Sequence, residues 1–358
     1  MQAVKQTSPY IRKAISTKRM MTDVLIALIP VVAFSIYRFG WDAVIRIGVS
    51  IVVMVGLEAL AFGMMHAPKK KDTFIVRLKS RYRDYTINNV IIPTVSAVIF
   101  AMIIPSKLPI YAVVVGAAFG IIVAKMLFGG TGTNIFNVAA AGRIFIGLAL
   151  ADMFTGKYVD TDLIAGGTAL ATAKEGLGFP QALQSYSLLD LFMGNVPGSM
   201  GEISAAAILI GAAYLLIRRS ADYRVIVSSL LTFVILMALV GLRAYPDDAL
   251  NFVLYQLFAG GLLFGAVYML TDPVTSPVTR PGRYIYGMIV AALAVIIRLF
   301  GAYPEGVAFA LLFGNMLVPL IDFPTWSTNR YKPTFFIGYA ASLVVLGLIV
   351  YFSAGGLA

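Results

Sequence analysis

The stretch from Asp222 to Arg243 reads DYRVIVSSLLTFVILMALVGLR. Between Arg224 and Arg243 it carries no charge, and its only polar side chains are the small hydroxyls of Ser228, Ser229 and Thr232. Wound as a helix rising ~1.5 Å per residue, such a run spans roughly the ~30 Å of a bilayer's hydrocarbon core. Comparable runs between charged or Pro/Gly-rich breaks lie near 24–39, 44–64, 86–104, 109–128, 134–154, 202–217, 249–270, 284–301, 306–321 and 334–353. The run 306–321 is short and holds Gly314, Asn315 and Pro319, which suits a broken or re-entrant helix. The fold expected is an all-α polytopic membrane protein with about ten transmembrane helices.

Composition agrees. The 358 residues are 59% apolar and 13% charged, with a mean hydropathy of +0.87. Soluble domains carry about 25% charged residues, so a soluble fold is excluded. There is no Cys and a single His, His66, which removes disulfides, iron–sulfur clusters, thiolate catalysis and bis-histidine haem. Any redox role must therefore use an organic cofactor. The first 23 residues are polar and basic and show no cleavable signal peptide.

The formal charge of +11 reads as loop bias rather than nucleic-acid binding. Lys5, Arg12, Lys13, Lys18 and Arg19 precede the first run, and Lys69, Lys70, Lys71, Arg77, Lys79, Arg81 and Arg83 follow the second. With 1–23 in the cytoplasm, Arg218, Arg219, Arg224, Arg280, Arg283, Arg330 and Lys332 fall on the same side. The loop 155–201 carries Lys157 and Lys174 against Asp160, Asp162, Glu175 and Asp190, and is expected outside.

A shift of 172 residues sets LFGGTGTNIFNVAAAG (Leu127 to Gly142) against LFGAYPEGVAFALLFG (Leu299 to Gly314). Both enter a helix from a Gly/Pro break. The crossings between them make an inverted repeat, 24–154 and 202–321, with a last helix at 334–353, all within one membrane domain over 1–358.

Several residues could carry chemistry. FGGTGTNIFN, Phe128 to Asn137, lacks the Lys and flanking strand of a phosphate loop. Its glycines open the helix, while Thr131, Thr133, Asn134 and Asn137 satisfy freed backbone or line a cavity favourable to an anion or a flavin's electron-rich edge. Lys125 and Arg298 are expected to snorkel, whereas Arg143, deep in its run, faces the bundle or a cofactor. Asp272, in TDPVTSPVTRPGR, reads as a cap or ion-pair partner or as part of an ion path, and Glu305 poses the same choice. TDLIAGGTALAT, Thr161 to Thr172, reads either as a flexible linker or as an accessible hydroxyl flanked by Gly166 and Gly167. Gly116 with Gly120, and Gly261 with Gly265, permit close helix approach.

FGGTGTNIFN, SYSLLDLFMGNVPGSMGE (Ser185 to Glu202), TDPVTSP and YPEGVAFALLFGNMLVPLID (Tyr303 to Asp322) together resemble the NqrB/RnfD family. Its members are the RnfD membrane protein of the Rnf electron-transport complex and the related NqrB protein of the sodium-translocating NADH:quinone reductase. The resemblance runs from about Ser8 to Tyr351, and the compact length favours the Rnf member. It implies a component of a redox-driven pump in a prokaryotic cell membrane, which passes electrons between ferredoxin and NAD and moves sodium ions or protons. It also implies FMN esterified through its phosphate to a threonine by a flavin transferase. The partners implied are the other Rnf proteins (RnfA, RnfB, RnfC, RnfE and RnfG) and membrane lipid, with no nucleic acid. A second flavin, riboflavin, is left open.

The family's attachment motif resembles Asp, two residues, then Ser-Gly-Ala-Thr. Here Asp162 leads through Ala165, Gly166 and Gly167 to Thr168 as the acceptor, with Ala165 and Gly167 replacing Ser and Ala. Val138 stands where the family usually has Pro. The chain is not expected to be catalytically complete alone, since it has no dinucleotide fingerprint. The rival from another class is a cofactor-free channel or secondary transporter built on the same repeat.

Overall fold

Hydrocarbon offers no partners to backbone N–H and C=O groups, so the apolar runs must satisfy themselves as helices. The computed structural model describes residues 16–65, 73–151, 158–159, 165–166, 168–174, 178–301, 306–323 and 327–356. The chain is an all-α polytopic membrane protein. The one exception among the described residues is a two-residue antiparallel pairing of Tyr158–Val159 with Ala165–Gly166.

Each expected run has its helix. They are α1 (Thr17–Phe39), α2 (Trp41–Met65), α4 (Asn88–Met102), α5 (Ile110–Ile122), α6 (Val138–Ala149), α10 (Ala205–Arg218) and α11 (Tyr223–Ala244). Then come α12 (Ala249–Phe258), α13 (Leu262–Phe264) running on as a π turn to Met269, α14 (Arg280–Phe300), α15 (Val307–Ile321) and α16 (Pro333–Ser353). A surface helix α3 (Phe74–Arg81) follows α2, and the long loop contains the short helices α7 (Ala169–Lys174), α8 (Gly178–Ser185) and α9 (Leu188–Met193).

Six of these spans are long and apolar enough to cross a membrane, and the bent pair Pro246–Phe258 and Leu262–Met269 makes a seventh. Four others, α4, α6, α10 and α15, are apolar but shorter. At 1.5 Å per residue, the 15 residues of α15 rise only ~22 Å, so these are partial crossings rather than full ones. The count of ten or eleven runs thus holds as helices, while four of them do not reach across alone.

The breaks lie where the sequence puts glycine. After α5 the chain turns through Met126–Phe128, and Gly129, Gly130 and Gly132 take φ of 108°, 97° and 92°. That region is closed to most L side chains, so these positions demand glycine. Asn137 then caps α6, its Oδ1 accepting from Ala140 N–H at 3.1 Å. The bend of 58° between α12 and α13 is made at Gly260, with φ 75°.

Each half of the chain packs its helices on a long apolar one. Helix α2 packs on α4 and α5, and α11 packs on α12 and α14. Likewise α5 packs on α6 and α14 on α15, while α1 meets α10 and α6 meets α15 across the two halves. At the α1–α10 contact, buried Asp23 accepts from Tyr214 Oη at 3.2 Å and Arg218 Nε at 3.3 Å, and from the Ser220 hydroxyl.

Small residues set the α5–α6 approach. A Cβ on Gly142 would sit 2.5 Å from the Gly116 carbonyl oxygen, and one on Gly120 would sit 2.6 Å from that of Val138. Gly142→Val must therefore push two backbones apart, a cost of roughly 1–3 kcal/mol by analogy with overpacked cores. We expect a lower Tm in detergent for Gly142→Val. Gly48→Ala, where a Cβ meets nothing within 4 Å, should leave Tm unchanged or slightly raised; equal loss in both would refute the close-approach account.

Candidate functional site

Thr168 lies just ahead of α7. It is 5% exposed, and its Oγ1 accepts from Ala171 N–H at 3.2 Å. Tyr255 on α12 donates its hydroxyl to the Ala169 carbonyl at 2.9 Å, and Phe179 of α8 packs edge-on against Phe252 and Tyr255. These described parts of the loop are docked on α12, so they do not form the free linker that composition allows. The hydroxyl itself is folded in rather than displayed.

Thr168 shares a small cavity with Val196, Pro197, Gly198, Glu202 and Gly260. Its volume is about 10 Å³, which is room for about one water. The threonine suits an ester linkage, since an ester oxygen keeps a lone pair for Ala171 N–H. The isoalloxazine does not fit the cavity and would have to lie beyond its lining. Glu202 is 9% exposed, and its carboxylate packs against Gly261, where a Cβ would stand 2.4 Å from Oε1. The second glycine pair thus serves both a side chain and a helix contact, because Gly265 faces Val307.

Gly166 is held in the Tyr158–Val159 pairing, opposite Tyr158. Asp162, Gly167 and Glu305 lie outside the described residues.

A second polar centre lies at the Gly-rich break. Lys125 Nζ meets Glu58 Oε2 at 2.6 Å, and both side chains are 2% exposed. Thr131 points its hydroxyl at Glu58 Oε1 from 3.5 Å. Lys125 therefore does not snorkel: an acid in α2 gives its ammonium a partner inside the bundle. Arg298 is likewise buried, donating to the Gln256 backbone carbonyl and lying 5.0 Å over the Phe233 ring. Glu58 escaped the sequence reading. Its signal was present, because a lone acid within an apolar crossing is a functional candidate by default.

Asp272 reaches this centre electrostatically. Its carboxyl accepts from Val274 N–H at 3.2 Å and Thr275 Oγ1 at 3.0 Å. Although the residue is only half-buried, desolvation holds its carboxyl above the ordinary carboxylate range, against the lowering pull of those two bonds and of the Lys125 ammonium. Asn134 is buried, donating to the Phe136 carbonyl at 3.1 Å, and Arg143 is half-buried, donating from Nε to the Ile103 carbonyl at 2.9 Å. The structure thus brings Thr131 and Asp272 to the Glu58–Lys125 pair, and the cavity at Thr168 includes none of Thr131, Asn134 or Arg143 in its lining.

The two breaks are joined by Asn315, 1% exposed on α15. Its Oδ1 accepts from Asn137 N–H at 3.0 Å, and its Nδ2 donates to the Thr275 carbonyl at 3.0 Å and to Tyr286 Oη at 2.9 Å.

A buried pair loses most when only one partner is removed. Glu58→Gln and Lys125→Met should each destabilise by roughly 3–5 kcal/mol, because each leaves an uncompensated charge. The double variant should recover much of the loss. A double variant as unstable as the sum of the singles in thermal unfolding would show that the two groups do not form a pair.

Comparison with known proteins places this architecture. The family described as NQR2, RnfD, RnfE matches residues 4–330. The NqrB protein of the Na(+)-translocating NADH-quinone reductase from Chromohalobacter salexigens is 33% identical over 351 residues, covering 89% of this chain and 84% of that protein. Its counterparts in Ectopseudomonas mendocina and Haemophilus influenzae are 31% and 33% identical, covering 89% and 91% of this chain and 87% and 88% of theirs. Those relatives are components of an oxidoreductase that pumps an ion. On this match over most of its length, the chain belongs to the NQR2, RnfD, RnfE family.

Proposed function

We propose that this chain is the flavin-carrying membrane subunit of a redox-driven ion pump, with FMN esterified through its phosphate to Thr168. The observation that carries this reading is the placement of Thr168: the segment bearing the motif's acceptor hydroxyl is anchored through Ala169 by Tyr255 of α12, near the bend of a broken helix and beside buried Glu202. FMN attached there would supply electron transfer in one- or two-electron steps. The chain's own residues hold the attachment point, exclude bulk water from it and fix the neighbouring bend. Asp162, Gly166 and Gly167 are the surroundings a flavin transferase would read, and Thr131, Asn134 and Arg143 offer polar groups for a second flavin such as riboflavin.

Thr168 is 5% exposed, so attachment requires the segment to swing out before it docks. The loop bias places the N-terminus in the cytoplasm and Thr168 outside, where a secreted transferase would meet it. The electron route follows the Rnf pattern, between ferredoxin and NAD, with the other Rnf proteins supplying those sites. The names of the relatives favour a second reading, electron entry from NADH and exit to quinone. For ion coupling, the Glu58–Lys125 pair with Asp272 is the charged centre within the bundle, and sodium or protons are both compatible with it.

Intact mass and peptide mapping of residues 158–174, after coexpression with an active transferase, should show an added FMN less one water on Thr168. Thr168→Val should abolish the adduct and Thr168→Ser should keep it; an unmodified wild-type chain would overturn the site and favour the cofactor-free channel. In the purified complex, reduced ferredoxin rather than NADH should reduce the flavin, and the opposite result selects the quinone-reductase reading. Alanine at Asn134, Asp272 and Glu305 together should abolish ion uptake by proteoliposomes, and undiminished uptake would remove all three from the path.

A further inference from the structure

A cavity of about 230 Å³ lies where two membrane helices begin, α14 at Arg280 and α16 at Pro333. Its polar lining is Thr279, Ser327, Thr328, Arg330, Lys332 and Thr334. The rest of the wall is apolar, with Ile285, Ile321 and Phe335. No carboxylate lines it among the described residues. The neighbouring acid, Asp322, is held at the edge of the wall: Oδ2 accepts from Val278 N–H at 2.6 Å, and Oδ1 accepts from the hydroxyl of the lining Thr279 at 2.6 Å.

The cavity is electropositive through its two basic side chains and the helix starts beside them. Arg330 and Lys332 are exposed cations with no ion pair among the described residues. Three of the four wall hydroxyls already donate, Thr279 to Asp322 Oδ1, Ser327 to Thr279 Oγ1 at 3.3 Å and Thr328 to the Arg330 carbonyl at 3.3 Å, so the hydroxyl donor on offer is that of Thr334. Asn329 Oδ1 accepts from Arg280 N–H at 3.1 Å, Phe335 N–H is bonded to the Lys332 carbonyl at 3.0 Å, and Pro281 and Pro333 carry no N–H, so the two helix starts add their positive dipole ends rather than free donors. The volume is below the ~300–1,000 Å³ of a drug-sized or cofactor pocket, which suits a small anion and excludes a nucleotide or flavin.

We propose that this cavity binds the phosphodiester headgroup of an anionic phospholipid. The mixed wall separates a lipid from a free anion. Arg330, Lys332 and the Thr334 hydroxyl meet the phosphate, while Ile285, Ile321 and Phe335 meet the glycerol and the first methylenes. Just along α16, Phe336 and Ile337 are 59% and 69% exposed, giving the acyl chains an apolar track that a soluble anion has no use for. The site is distinct from Thr168 and from the Glu58–Lys125 centre and does not depend on the flavin reading.

The test is native mass spectrometry of the full chain in its complex, released from nanodiscs containing equal phosphatidylglycerol and phosphatidylcholine. The wild type should retain phosphatidylglycerol. Arg330→Gln with Lys332→Gln should reduce that retention by about tenfold or more, in line with the worth of two basic residues near a lipid surface. Arg330→Lys with Lys332→Arg should restore it, which separates charge recognition from misfolding. Equal retention by the neutral double variant would overturn the proposal. So would displacement of the lipid by millimolar inorganic phosphate, which would identify a free-anion site instead.

Discussion

Asn315 closes a gap that the bilayer would otherwise leave open. Where α6 starts, its first N–H groups have lost their helical partners, and hydrocarbon supplies none. The Asn315 amide accepts from one of them, at Asn137, and donates to Thr275 and Tyr286. One side chain on α15 therefore ties the break before α6 to the TDPVTSP loop and to α14. Interrupted helices are tolerated in a membrane only with such repair, and the polar centre of the molecule is built around it.

Around that repair the chain concentrates its cost. Glu58 and Lys125 are two charges taken out of water, held by each other at 2.6 Å and approached by Thr131 and Asp272. A packed apolar pair would be at least as stabilising in most proteins, so this pair adds little to stability for the desolvation it costs. The surroundings of Thr168 follow a different logic, with a hydroxyl that accepts from Ala171 N–H in a segment docked on α12 beside the packed rings of α8 and α12 and bordered by a buried carboxylate. Relatives of this chain are components of an oxidoreductase that pumps an ion, and the two centres here differ in kind, one a folded-in hydroxyl and the other a charged interior.

The sequence exposed some of this directly. Gly129, Gly130 and Gly132 announced a break, and the φ angles require glycine at all three. The pairs Gly116 with Gly120 and Gly261 with Gly265 announced close approach, and the first lies under the α5–α6 crossing. Other features stayed hidden. Lys125 reads as a snorkelling residue because its partner, Glu58, is 67 positions away in the chain. Glu202 ends a motif that carries family resemblance, and its contact with Gly261 joins segments that no local pattern connects.

Length of apolar run, glycine placement and the bias of basic loops are local quantities, and each is governed by transfer of a short segment into hydrocarbon or across it. They determined the class of fold and the positions of the helices and the breaks, while Thr168 as an acceptor came only from resemblance to the family's motif. Which charges meet, which helices fall short of a crossing and which hydroxyl is folded in are decided by contacts between distant segments. Those contacts depend on the packed arrangement of the whole bundle, because a buried charge or an orphaned N–H is stabilised only by whatever group the tertiary fold brings within hydrogen-bond reach.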